Sequence, residues 1–163
     1  MSKMKEMSAK KTIALIGEIQ GKEKILNRLA KSYRLLWVTN EDDPYTHLSQ
    51  STISEFSEAE VEIIACAKEG CWEADIIVLK VNEIEKELIE GIREVATQKI
   101  VVVLGKDEDT APALVNKLLL VQEGLPYSKV VEVYPEPETV VAGKDPLAVE
   151  TVKEIVRKLD FSF

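Results

Sequence analysis

Residues 12–39 read TIALIGEIQGKEKILNRLAKSYRLLWVT, and this stretch decides the fold. Thr12–Ile16 is a strand-sized apolar run closed by Gly17. Gly21–Lys31 carries Ile25, Leu26, Leu29 and Ala30 at helical spacing, and Tyr33–Thr39 is a second apolar run. The pattern predicts strand, turn, helix, strand. The alternation then continues to the end of the chain. Asn40–Ser57 is polar, with Glu41-Asp42-Asp43-Pro44 as its turn signal. Val61–Cys66 reads as a third strand and Ala67–Ala74 as a link or short helix. Asp75–Val81 is the clearest strand, and Ile84–Ala96 sets Ile84, Leu88, Ile92, Val95 and Ala96 on one helical face. Lys99–Leu104 is the next strand, followed by a helix over Thr110–Gln122 with Pro112 tolerated in its first turn. Lys129–Tyr134 and Thr139–Ala142 are strands around Pro135-Glu-Pro137. Pro146–Leu159 is the last helix, with Val149, Val152, Ile155, Val156 and Leu159 inward.

Strands alternating with helices predict an α/β fold with a doubly wound, mainly parallel sheet, in three layers. Near-continuous Val, Ile and Leu in the strands say that both sheet faces are covered. The expected strand order is 3-2-1-4-5-6, with an extra strand after the sixth. Residues 12–163 read as one domain and residues 1–11 as a frayed start. In such sheets ligands bind beyond the carboxyl ends of the strands, near the point where strand order reverses. Here those ends are Gly17–Gly21, Thr39–Asp43, Lys80–Glu83 and Gly105–Asp109.

Composition narrows the classes. The chain has 163 residues, 45% hydrophobic and 31% charged, which fits one globular domain. With 21 Lys plus Arg against 29 Asp plus Glu the net charge is −8. That balance disfavours nucleic acid and anionic membrane as partners. No apolar run reaches the roughly 18–20 residues of a membrane span. The basic start, Met1–Lys11, lacks the apolar segment of a signal peptide. Cytoplasmic location is the expectation, with a homodimer as the expected assembly. Two cysteines and one histidine exclude a disulfide scaffold and speak against a structural zinc site, so no metal is expected.

The first strand–helix turn sits where a dinucleotide's pyrophosphate would lie. Such a loop needs glycine to turn tightly and to let backbone N–H groups approach the phosphates. Started at Gly17, the G-x-G-x-x-G pattern would need glycine where Ile19 and Lys22 stand. Its G-x-x-G-x-x-G variant would need glycine at Gln20 and Glu23. Gly17 and Gly21 are the only glycines in Gly17–Lys24, and Glu18 sets a carboxylate in the phosphate's place. The helix N-terminus still offers free N–H groups and partial positive charge. The alternative is the ordinary turn of any α/β unit. A triphosphate loop, G-x-x-x-x-G-K-[ST], is excluded: Gly17 and Gly21 are one residue too close, and Glu23 replaces the hydroxyl. At the end of the second strand Thr39, Asn40 and Glu41 are candidate ribose ligands. Glu41, Asp42 and Asp43 would repel a ribose phosphate, or they are a solvated acidic turn.

Lys80 is unusual, a cation within Ile77-Val-Leu-Lys-Val81. A lysine in an apolar strand is rarely buried without a partner. Three readings stand: an ion pair with Glu18 replacing pyrophosphate from within, a ligand for a phosphate or carboxylate, or a side chain reaching water from the strand end. Cys66 and Cys71 are five apart, not a C-x-x-C redox pair, and read as structural, with Cys66 a buried thiol ending a strand. His47 reads as a surface residue in a polar loop, and no nucleophile-elbow motif is present. Tyr33, Trp37, Phe56 and Trp72 read as core or interface aromatics. Glu83–Glu87 and the last helix's charges read as solvated faces.

Three stretches carry a family resemblance. Thr12-Ile-Ala-Leu-Ile-Gly17, Glu73-Ala-Asp-Ile-Ile-Val-Leu-Lys-Val-Asn82, and Leu125–Val131 with Val140-Val-Ala-Gly-Lys-Asp-Pro146 resemble the NADP oxidoreductase family dependent on the deazaflavin coenzyme F-420. The chain reads as a divergent, truncated member. The resemblance implies a Rossmann-like fold and hydride transfer on a bound NAD or NADP. The chain departs from the family in its two-glycine loop, in Lys80 for a small residue and Asn82 for a proline. Tyr134-Pro-Glu-Pro137 replaces an aromatic–asparagine–threonine stretch.

The resulting expectation is an NAD(P)-binding oxidoreductase-like domain with a degraded glycine loop. Gly17, Glu18, Ile19, Gln20 and Gly21 would cradle the cofactor, Thr39, Asn40 and Glu41 would meet a ribose, and Lys80, Val81, Asn82 and Gly105 would line the nicotinamide side. No side chain stands out as acid or base. The alternative is a non-catalytic interaction or sensing module that has lost dinucleotide binding.

Overall fold

The computed structural model describes residues 10–17, 28–39, 61–80, 84–105, 111–134 and 140–159, the side chains of 111–115 and 158–159 excepted. The strands are β1 (Thr12–Ile16), β2 (Arg34–Val38), β3 (Val61–Ile64), β4 (Ile76–Lys80), β5 (Ile100–Leu104), β6 (Lys129–Tyr134) and β7 (Val140–Gly143). The helices are α1 (Ala67–Glu73), α2 (Lys86–Ile92), α3 (Ala111–Gly124) and α4 (Pro146–Leu159). All seven strands form one sheet in the order β3-β2-β1-β4-β5-β6-β7. The first six are parallel and β7 runs antiparallel to β6. The expected doubly wound α/β architecture is the one observed, with the extra strand as an antiparallel edge.

Register sorts the strand residues onto two faces. One collects Ile13, Leu35, Trp37, Ile76, Val102, Val131 and Val133, closed by Leu29, Ala30 and Tyr33 and by Ala148, Val152 and Ile155 of α4. The other collects Ala14, Leu36, Val38, Ile77, Leu79, Val101 and Val103, closed by Cys71 near the end of α1, Ile89 and Ile92 of α2 and Val121 of α3. The chain winds outward from β1 to β3 and then returns to β4. With the hand of the crossover unchanged, that reversal moves α1, α2 and α3 to the opposite face. Strands covered on both sides must be apolar at successive positions, which is why their sequences do not alternate.

The helix ends explain several local choices. Asp145 caps α4: its Oδ1 accepts the N–H groups of Leu147 (3.0 Å) and Ala148 (3.2 Å), with Pro146 in the first position. Lys99 donates from Nζ to the Cys71 and Trp72 carbonyls, so a cation meets the carboxyl end of α1. Burial holds the Lys99 ammonium below its usual pKa. Asp75 accepts the Thr12 N–H at 2.9 Å and returns its own N–H to the Thr12 carbonyl at 2.8 Å. Asp75 therefore pins the amino end of β1, opposite the carboxyl rim of the sheet.

Some expectations need correction. Cys66 does not end a strand as a buried thiol; β3 stops at Ile64 and Cys66 is exposed at the cap of α1. Ala67–Ala74, expected as a link or a short helix, carries helix α1. Trp72 is no core aromatic: it is 69% exposed, because its place on α1 points away from the sheet while Cys71 points in. The helix expected over Ile84–Ala96 spans only Lys86–Ile92, although Ile84, Ile92 and Ala96 are buried as the pattern required. Of the helix expected over Gly21–Lys31, residues 28–30 are helical and 21–27 lie outside the described residues. His47, Phe56 and the Leu159 side chain lie outside them too.

Candidate functional site

Strand order reverses between β1 and β4, and the register puts their carboxyl ends side by side. Ile16 pairs with Val38 of β2 and with Leu79 of β4, and Lys80 pairs with Leu104 of β5. One step further on, Gly17, Thr39, Lys80 and Gly105 share one rim. Sequence reasoning chose these four from separate segments, and the topology brings them together. Glu18, Ile19, Gln20, Gly21, Asn40, Glu41, Val81 and Asn82, also candidates, lie outside the described residues.

Gly17 has φ 121°, a conformation that a side chain would strain. Its N–H donates to the Val38 carbonyl at 3.2 Å. That N–H is committed to the sheet, so Gly17 makes the turn and any phosphate would meet N–H groups of later residues. The Gly17 carbonyl accepts from Trp37 Nε1 at 2.9 Å. Trp37 is 1% exposed on the same face as Leu15, and a buried indole N–H needs such an acceptor. The tryptophan of β2 thus holds the mouth of the β1 turn. The sequence places Trp37 among the core or interface aromatics; its position near the carboxyl end of the second strand is the available signal.

Thr39 is buried, and its N–H donates to the Ile64 carbonyl at 3.1 Å, extending the β2–β3 ladder. Lys80 is half-buried at the last position of β4. Strand alternation aligns it with Val78, on the face of Gly17 and Thr39. Gly105 is buried and donates its N–H to the Val133 carbonyl at 2.9 Å.

Tyr134 closes the rim at the end of β6, beside Gly105 in register. Its hydroxyl donates to Glu132 Oε2 at 2.8 Å. Burial, and then that carboxylate, push the phenol up to about 12, so it stays protonated. Cys66 is exposed just past the carboxyl end of β3, and the Cys71 side chain is buried beneath α1. Burial pushes the Cys71 thiol up to about 12, which removes it as a nucleophile near neutral pH. Among the described residues no three His, Cys, Asp or Glu side chains gather as a metal site.

Two cavities lie among the described residues. One of about 420 Å³ lies between the end of α3, β6 and the β7–α4 turn, beside Lys129, Glu132 and Lys144. Another of about 720 Å³ runs along β3 and α1, beside Glu62, Cys66 and Trp72. No described helix is long and apolar enough to cross a membrane.

No family model matches the chain, and no curated protein matches it significantly. Solved structures do. A candidate F-420-dependent NADP reductase from Arthrobacter sp. FB24 superposes with TM-score 0.64 at 16% identity, over 93% of this chain and 82% of that one. An imine reductase variant from Myxococcus stipitatus in complex with NAD+ gives TM-score 0.62 at 14% identity, over 92% and 52%. Pyrroline carboxylate reductase from Plasmodium falciparum with NADP bound gives 0.61 at 11%, over 91% and 55%. The chain therefore spans about half the length of these last two reductases. At such identities the likeness establishes the fold alone, a Rossmann-type α/β sheet of the kind these reductases have.

Proposed function

We propose that this chain binds a nicotinamide dinucleotide across the carboxyl rim of its sheet, as an oxidoreductase-like domain. One observation carries the reading. Gly17 closes β1 at the switch point in a conformation that favours glycine, with its carbonyl held by Trp37. A glycine held there leaves the approach to the backbone at that position free of a Cβ, which is what a pyrophosphate needs. Gly17 makes the turn, and the backbone of Glu18, Ile19, Gln20 and Gly21 offers N–H groups. Lys80 adds positive charge on the same face. Thr39, Asn40 and Glu41 meet the adenosine ribose, while Val81, Asn82 and Gly105 line the nicotinamide side. The cofactor itself supplies the hydride chemistry.

The similar structures include one holding NADP and one holding NAD+. Here Glu41, Asp42 and Asp43 follow β2 in sequence, and three carboxylates oppose a ribose phosphate. NAD is therefore expected to bind more tightly than NADP. Exchange with a deazaflavin is the narrower form of this reading and rests on the motif resemblance.

Isothermal titration with NAD, NADP and their reduced forms tests it. Micromolar binding, weakened on Gly17→Ala and on Lys80→Ala in variants that keep the wild-type circular dichroism, is the expected result. No heat and no thermal shift up to millimolar ligand would overturn it and leave the interaction or sensing module in its place.

A further inference from the structure

The cavity of about 420 Å³ is bordered by Lys129 and Val130, the first residues of β6, and by the turn where β7 runs into α4. Its volume falls within the roughly 300–1,000 Å³ of small-molecule sites. One wall is apolar, made by Leu125 and Pro126 just past α3 and by Val130. Four charged side chains border the rest: Lys129, Glu132, Lys144 and Asp145.

Two of these charges are matched within the fold and two are not. Lys129 and Asp145 lie 3.8 Å apart and offset each other. Asp145 also accepts two N–H groups of α4, so the start of that helix is already capped. Ser128, beside them, gives its hydroxyl to the Ala96 carbonyl at 2.8 Å. Glu132 and Lys144 differ from this pair. Glu132 accepts the Tyr134 hydroxyl on Oε2 at 2.8 Å, and a neutral phenol leaves its charge uncompensated. Among the described residues neither Glu132 nor Lys144 forms an ion pair. Glu132 is half-buried and Lys144 is exposed. The antiparallel ladder pairs Glu132 with Ala142, two residues before Lys144. At roughly 3.4 Å per residue, the backbones of this anion and this cation stand about 7 Å apart along the strand direction.

We propose that this cavity binds a free α-amino acid with an apolar side chain. The ligand's carboxylate meets Lys144, its ammonium meets the second oxygen of Glu132, and its side chain lies on Leu125, Pro126 and Val130. A zwitterion matches both of the charges that the fold leaves unmatched there. A simple anion would face Glu132 as well as Lys144, and a simple cation would face Lys144 as well as Glu132. Neither residue is among those assigned to the dinucleotide.

Isothermal titration of the full chain tests this, with leucine, valine and phenylalanine as probes and N-acetylleucine and leucinamide as forms that each lack one charge. At least one of the three amino acids is expected to bind saturably at or below millimolar concentration, and the two blocked forms are expected not to bind. Lys144→Ala, at an exposed position, and Glu132→Gln, which keeps an acceptor for Tyr134, should each weaken binding about tenfold or more with an unchanged thermal melt. If Glu132→Gln shifts the melt, Lys144→Glu takes its place and is expected to abolish binding. No binding of any of the three, a blocked form that binds as well as the free amino acid, or variants that bind like the wild type would each overturn the site.

Discussion

At the scale of single residues, the rim depends on one hydrogen bond. Trp37 Nε1 satisfies the Gly17 carbonyl, and both groups are held where the β1 turn begins. Trp37→Phe keeps a ring in the core but removes the donor. It should destabilise the fold by about 1–3 kcal/mol, because an acceptor loses its partner and the smaller ring leaves space. Urea denaturation of the variant measures this. A variant as stable as the wild type would show that the indole only fills volume. Gly17 was legible in the sequence because a glycine closing an apolar run has a strong conformational reason. The Trp37 bond was not legible. Spacing places a tryptophan on a strand face but cannot say which carbonyl a parallel neighbour brings within 2.9 Å.

At the scale of elements, α1 shows how a short helix is held by its fit. Gly70 faces β2 so closely that an added Cβ would stand 2.7 Å from Val38 Cγ2. Gly70→Ala gains about 1 kcal/mol of helix propensity. Overpacking against Val38 costs about 1–3 kcal/mol, so a net loss of stability is expected. Val38→Ala alone leaves a cavity. Together the two changes should cost less than their sum, since the new methyl enters the vacated space. A double-mutant cycle on unfolding free energies reads that coupling, and strict additivity would refute the contact. The sequence left Ala67–Ala74 open between link and helix. Seven residues with Gly70 inside form a poor helix by propensity, and only the sheet beneath them and Lys99 at their carboxyl end stabilise it.

At the scale of the whole molecule, alkaline pH should weaken the fold. Burial pushes the Cys71 thiol from 9.0 up to about 12. The raised folded pKa contributes stability that is complete below pH 9 and is lost as pH rises toward about 12. Tyr134 acts in the same sense between 10.0 and about 12. Lys99 opposes them, since its folded pKa lies below 10.5, and stability is regained as pH rises through the interval between the two values. Lys99 is more exposed than Cys71, which makes that offset smaller than the thiol's contribution. Denaturation midpoints should therefore decline above pH 9 in the wild type and later in Cys71→Ala. Identical pH profiles for the two proteins would exclude the buried thiol as the cause.

The sequence by itself determined the layers and their winding. Continuous apolar strands separated by helices admit few topologies once crossovers share one hand, and the order 3-2-1-4-5-6 follows. It also singled out Gly17, Thr39, Lys80 and Gly105 from four separate segments. Only the tertiary structure decided how these meet, because their neighbours along the rim lie on other strands and come into register through sheet pairing. The same holds for Cys71 and Trp72, adjacent in sequence yet buried and exposed in turn. On a helix a rotation of about 100° separates such neighbours, and the packing of α1 chose which one faces the sheet.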